Sequence, residues 1–213
     1  MAVWADIHDL VLPETMGASP DQATYYLRMA AIELCESTMV HSVEFAPIDV
    51  VANQATYTPE SPVAATELTT VRTAWVNGKQ LDFAPMDTIA GWHTDWRTLT
   101  DPQPRAFTQY DMASIVLVPK PTVSYTGGLV IFAAIRPTIL AATIADFLVT
   151  DYREVIAKGA KARLFAMTGK PWSNPAEASR LRTEFGSDVG NIRVAVSKSF
   201  TRASLRVAPR PAA

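Results

Sequence analysis

The sequence predicts an α+β protein: a helical bundle built from the N- and C-terminal helices, an inserted all-β, sandwich-like domain, and an extended C-terminal arm. Three observations point there. Apolar residues recur at three- and four-residue steps towards both ends of the chain, prolines cut the middle into short β-prone runs, and the closing stretch is rich in Arg, Pro and Ala. The implied boundaries are 1–41 and 138–201 for the helical domain, 42–137 for the β domain and 202–213 for the arm.

The first helix is expected from Ser19-Pro20, an N-cap followed by a proline suited to the first helical position. Leu27, Ala30, Ala31, Leu34 and Thr38 then mark one apolar stripe. The helix should stop near Thr38–His41, where β-branched residues begin an alternating pattern.

In the middle of the chain, Pro47, Pro59, Pro62, Pro85, Pro102, Pro104, Pro119 and Pro121 punctuate the β-prone runs Ile48–Val51, Leu68–Val76, Ser114–Val118 and Leu129–Ile135. Asn77-Gly78, between Thr73–Val76 and Lys79–Phe83, is the strongest hairpin signal. Residues 86–110 look irregular, a long loop or protrusion. Gly127-Gly128 reads as a turn before a strand, since no Lys-Ser/Thr follows to make a phosphate loop.

A second helix is expected from about Ala145 to Met167, with Phe147, Leu148, Tyr152, Val155, Ile156, Ala160 and Leu164 on one face. Thr168-Gly169-Lys170-Pro171 supplies the stop. Asn174-Pro175 opens a third, carrying Leu181, Phe185, Val189, Ile192 and Val196. Gly186 and Gly190 within it allow either close packing on a neighbour or a break. One helix alone cannot bury its stripe, so 19–39 should pack on 145–199.

Charge is divided by position. Residues 1–152 hold 7 Lys/Arg against 17 Asp/Glu, and residues 153–213 hold 12 against 4, giving −10 and +8, which sum to the net −2. Such a chain attracts copies of itself front to back, or draws an acidic partner to its tail. Near-neutral net charge argues against a dedicated nucleic-acid binder. At 213 residues, 48% hydrophobic and 19% charged, the chain can bury a full core. No apolar run approaches the ~20 residues needed to cross a bilayer. Residues 1–17 lack a basic start and a continuous apolar stretch, so no secretory signal is expected. A single cysteine, Cys35, excludes an internal disulfide framework and a Cys-based zinc site, and suggests assembly in a reducing cytoplasm.

No catalytic, metal or cofactor signature emerges. His8, His41 and His93 are scattered, without metal-ligand spacing. Trp92-His93-Thr94-Asp95-Trp96 reads as a polar loop anchored by two tryptophans rather than half a catalytic site. Glu33 and Glu36, one turn apart, read as an exposed polar face rather than a hydrolase pair. Cys35 reads as a small, semi-buried residue rather than a reactive thiol. Towards the end, Arg193, Lys198 and Arg202 can share one solvated helix face. Phe200 alone interleaves an aromatic among them, so DNA phosphate contact has weak support. Leu205 to Pro211 alternates apolar and basic groups, the composition of an arm that docks on another subunit.

Several segments carry a family resemblance. Trp4-Ala5-Asp6 through Leu12-Pro13, Leu27 to Thr38, Pro47 to Ala52 with Tyr57 beyond, and Asn77 to Leu81 come first. Arg136-Pro137, Ile156 to Leu164, Lys170 to Ala176 and Leu205 to Pro211 follow in order. Together they resemble the head-to-tail adaptor (connector) proteins of tailed bacteriophages, with the tail tubular protein A type of short-tailed phages among the relatives. Residues 86–110 match no part of that pattern.

The resemblance implies a structural, non-enzymatic virion protein with no cofactor. It would form a ring, typically twelvefold, at the head–tail junction. The portal protein and a downstream tail or nozzle protein would be its partners, and DNA would touch the channel transiently during genome ejection. No membrane partner is implied, and assembly would take place in the host cytoplasm. By position, the helices bearing Lys158, Lys161, Arg163, Arg180, Arg182, Arg193 and Lys198 would make inter-subunit contacts. Arg202, Leu205, Arg206, Val207 and Arg210 would lie in the portal-binding arm. Two other readings compete: a tail-associated cell-wall hydrolase with Glu33 or Asp95 as proton donor, and a tail-completion protein on the distal side of the connector.

Overall fold

The computed structural model describes residues 1–92 and 94–200, and it is α+β, with helices beside a curled mixed sheet of sandwich or half-barrel character. A short strand, β1 (Ala2–Val3), leads into a 3-10 helix (Trp4–Leu10) and then α1 (Pro20–Thr38). Ser19 and Gln22 cap α1 reciprocally. The Gln22 N–H donates to Ser19 Oγ at 3.2 Å and the Ser19 N–H donates to Gln22 Oε1 at 3.3 Å. Met39 ends the helix at φ 55°, its N–H bonded to the Cys35 carbonyl. The expected stripe of Leu27, Ala30, Ala31, Leu34 and Thr38 is buried.

The middle of the chain contains β2 (Ser42–Glu44), β3 (Ile48–Val50), β4 (Thr56–Tyr57), β5 (Thr66–Val76) and β6 (Lys79–Phe83). After α2 (Met86–Trp92) come β7 (Thr100–Asp101), β8 (Ala106–Thr108), β9 (Ile115–Val118), β10 (Lys120–Pro121) and β11 (Tyr125–Pro137). The main sheet runs β2-β11-β5-β6-β8-β9-β4, with β3 also pairing β11. Its pairings are antiparallel except β6 with β8. At the β5–β6 hairpin, Asn77 and Gly78 have φ of 49° and 75°, the two left-handed positions of a type I′ turn.

Two sequence expectations need correction here. Gly127-Gly128 does not precede the strand but forms an irregularity inside β11, where the register against β3 shifts between Tyr125 and Leu129. A Cβ at Gly128 would stand 2.4 Å from Tyr125 Cβ, so the backbone can fold back on itself only without a side chain. Residues 86–110 are not a featureless loop. Ile89 of α2 and Trp96 pack with Ala84, Ala106, Val116 and Val118 as a small core of their own.

The last strand, β12 (Thr143–Ile144), pairs antiparallel with β1 and sets up α3 (Asp146–Phe165). The final helix, α4 (Pro175–Ser197), starts where the Glu177 N–H donates to Asn174 Oδ1 at 3.2 Å and runs unbroken through Gly186 and Gly190. The helical core takes its buried residues from 4–35 and 141–172, and the main sheet core takes its own from 45–135. Arg136 of β11 joins the two, pairing with Glu36 of α1 and, at 2.8 Å, with Glu67 of β5. Among the described residues no helix is long and apolar enough to cross a membrane.

Candidate inter-subunit surface

The cations expected to contact other subunits lie on α3 and α4 or, for Lys198, at the C-cap of α4, and most of them have acidic partners within the protomer. Lys158 Nζ is 2.8 Å from Asp188 Oδ2, an interaction that raises the lysine pKa. Lys161 Nζ is 2.7 Å from Glu14 Oε1. Arg163 and Arg182 both hold Glu33 of α1, the latter at 2.8 Å, and both guanidiniums lie over the Phe185 ring. Arg180 is held between Glu177 and Glu184 of its own helix. Arg193 and Lys198 are exposed and make no ion pair among the described residues. The arm residues Arg202, Leu205, Arg206, Val207 and Arg210 lie outside the described residues.

These pairings change what the charge split means. Arg153 with Asp9, Lys161 with Glu14, and Arg163 and Arg182 with Glu33 join the basic end of the chain to its acidic front inside one molecule. Much of the attraction expected between copies therefore fastens α3 and α4 to the N-terminal segment and α1. The charge left to meet a partner is a smaller remainder.

The hydrolase reading finds no support in this geometry. Burial pushes the Glu33 carboxyl pKa up, but Arg182 and Arg163 outweigh it and hold it below 4.5. A general acid needs the opposite shift to keep its proton near neutral pH. Trp96 is buried, while Trp92, Thr94 and Asp95 are exposed and His93 lies outside the described residues. Asp95 closes a turn with its backbone carbonyl, which accepts from Thr98 N–H at 2.9 Å. Cys35 is fully buried, and burial pushes its thiol up to about 12, far from a reactive thiolate. Among the described residues no group of three or more His, Cys, Asp or Glu could hold a metal ion.

One surface escaped the sequence reading. Between β11 and β12, at the start of the 138–201 segment assigned to the helical domain, a turn presents Ile139 and Leu140 to solvent. With Met29 and Ile32 of α1 they line an apolar groove of about 530 Å³. Two branched apolar residues at a place where polar turn residues are usual was the available signal.

A family described as SU10 adaptor protein matches residues 3–210. No curated protein matches the chain. The common ground with the sequence resemblance is the phage adaptor class rather than the tail tubular protein A type. By a match over nearly its whole length, the chain belongs to the SU10 adaptor protein family, a family of structural phage proteins.

Proposed function

We propose that the protein is a virion component that forms a head-to-tail adaptor ring, joins the portal to the tail and leaves a channel for DNA. The observation that carries this reading is the adaptor-family match over residues 3–210. In this reading 1–41 and 138–201 form the ring, 42–137 projects from it and 202–213 reaches the portal. The separate helical and sheet cores support the division. Within the ring, α3 and α4 carry the inter-subunit contacts, with Arg193 and Lys198 facing the neighbour. Lys158, Lys161, Arg163, Arg180 and Arg182 brace those helices from within.

The arm assignment is tested by deletion. A chain lacking residues 202–213 should keep its far-ultraviolet circular dichroism and lose binding to the portal of its phage. Portal co-assembly at wild-type level by the truncated chain would overturn the assignment.

A further inference from the structure

The tryptophans at 92 and 96 take unlike places. Trp96 is buried in the small core with Ile89, while Trp92, the last residue of α2, is 55% exposed. Both line a hollow of about 270 Å³, together with Leu99, Thr100, Asp101 and Arg105. The β7–β10 pair holds one wall: the Lys120 N–H donates to the Leu99 carbonyl at 3.0 Å and the Thr122 N–H to the Asp101 carbonyl at 3.1 Å. Trp92 also borders a second hollow of about 370 Å³, with Thr94 and Asp95 among its lining. One exposed indole thus stands between two concavities.

The polar groups of the first hollow are fixed in place. Asp101 Oδ1 accepts from the Gln103 N–H at 2.9 Å, and Oδ2 accepts from Arg105 Nη2 at 3.1 Å. A carboxylate and a guanidinium therefore sit side by side, acceptor next to donor, and Arg105 keeps further N–H groups for a ligand. Asp95 and Asp101, which line the two hollows, are balanced by Arg105 and by Arg97, whose guanidinium lies over the Trp96 ring at 4.6 Å. No surplus charge selects an ion, and a nucleotide phosphate would gain little there.

A ligand that fits these features is neutral and ring-sized, with a flat apolar face and hydroxyls on its edge. A pyranose has that form. Its C–H face lies on an indole, and its neighbouring hydroxyls, one hydrogen bond apart, donate to a carboxylate and accept from a guanidinium. We propose that Trp92, Asp101 and Arg105 form a saccharide-binding site. One sugar ring occupies the Asp101 hollow, and the next ring of the chain crosses Trp92 into the Asp95 hollow. A proline-rich peptide also stacks on tryptophan, but it presents mainly carbonyl acceptors and gives Asp101 no donor. The site belongs to the β domain and does not depend on the ring reading.

Calorimetric titration of the full-length chain with N-acetylglucosamine, glucose and galactose, each also as a disaccharide, tests this. At least one sugar should saturate at about 1–10 mM, the range open to a ligand of ring size, and its disaccharide should bind at least about threefold tighter. Trp92→Ala should weaken that binding at least about tenfold and Asp101→Asn about tenfold, with Trp92→Phe recovering part of the loss. Circular dichroism should be unchanged in all three variants. No saturation by any of these sugars, or binding undiminished by Trp92→Ala, overturns the site. Saturation by adenosine monophosphate or by a Pro-Arg-Pro peptide in place of the sugars overturns it as well.

Discussion

Gly159 of α3 lies directly against Phe185 of α4: a Cβ built at Gly159 would stand 2.8 Å from Phe185 Cε2 and 2.9 Å from Ala30 Cβ. Three helices meet at that point, and the missing side chain lets them close. Gly159→Ala should therefore destabilise the protein by about 1–3 kcal/mol through overpacking. Gly186→Ala, in open space, should stabilise it by up to about 1 kcal/mol through helix propensity. Urea unfolding midpoints moving in opposite directions would bear this out; two shifts of one sign would not.

Glu33 ties α1 to both α3 and α4. Glu33→Gln should cost about 1–2 kcal/mol, between an exposed pair and a desolvated one. The ion-pair contribution is complete above pH 4.5, the ordinary carboxyl value, and is lost as pH falls through the lower folded value. The variant's stability should accordingly fall less steeply with acid than the wild type's, which chemical denaturation at stepped pH would measure.

His41 titrates in a separate window. Its ring is buried, Nδ1 has no hydrogen-bond partner, and it stands edge-on to Phe147 with ring centroids 5.1 Å apart. Burial holds its pKa below 6.5, so beneath that pH the unfolded chain takes up a proton that the folded chain resists. Stability should decline with acid by at most about 1.4 kcal/mol per pH unit from this group. His41→Gln should flatten the curve just below pH 6.5 and leave the Glu33 window in place.

Local signals in the chain were legible. Ser19-Pro20 announces the start of α1, Asn77-Gly78 announces a hairpin, and the stripes on α1, α3 and α4 identify the faces that pack. What could not be read depends on partners far away in sequence. The two-residue pairing of β1 with β12 has no local signature. The bulge at Gly127-Gly128 exists only against β3, and the small core around Trp96 draws on residues from 84 to 118. At the candidate surface, the helices and their cations were visible but their partners were not: Glu33 lies 130 and 149 positions from Arg163 and Arg182.

Class averages of the protein mixed with the portal of its phage, in negative stain, bear most directly on the adaptor reading. The account predicts annuli seated coaxially on the portal with an open centre. Bare portals beside dispersed single chains would contradict it.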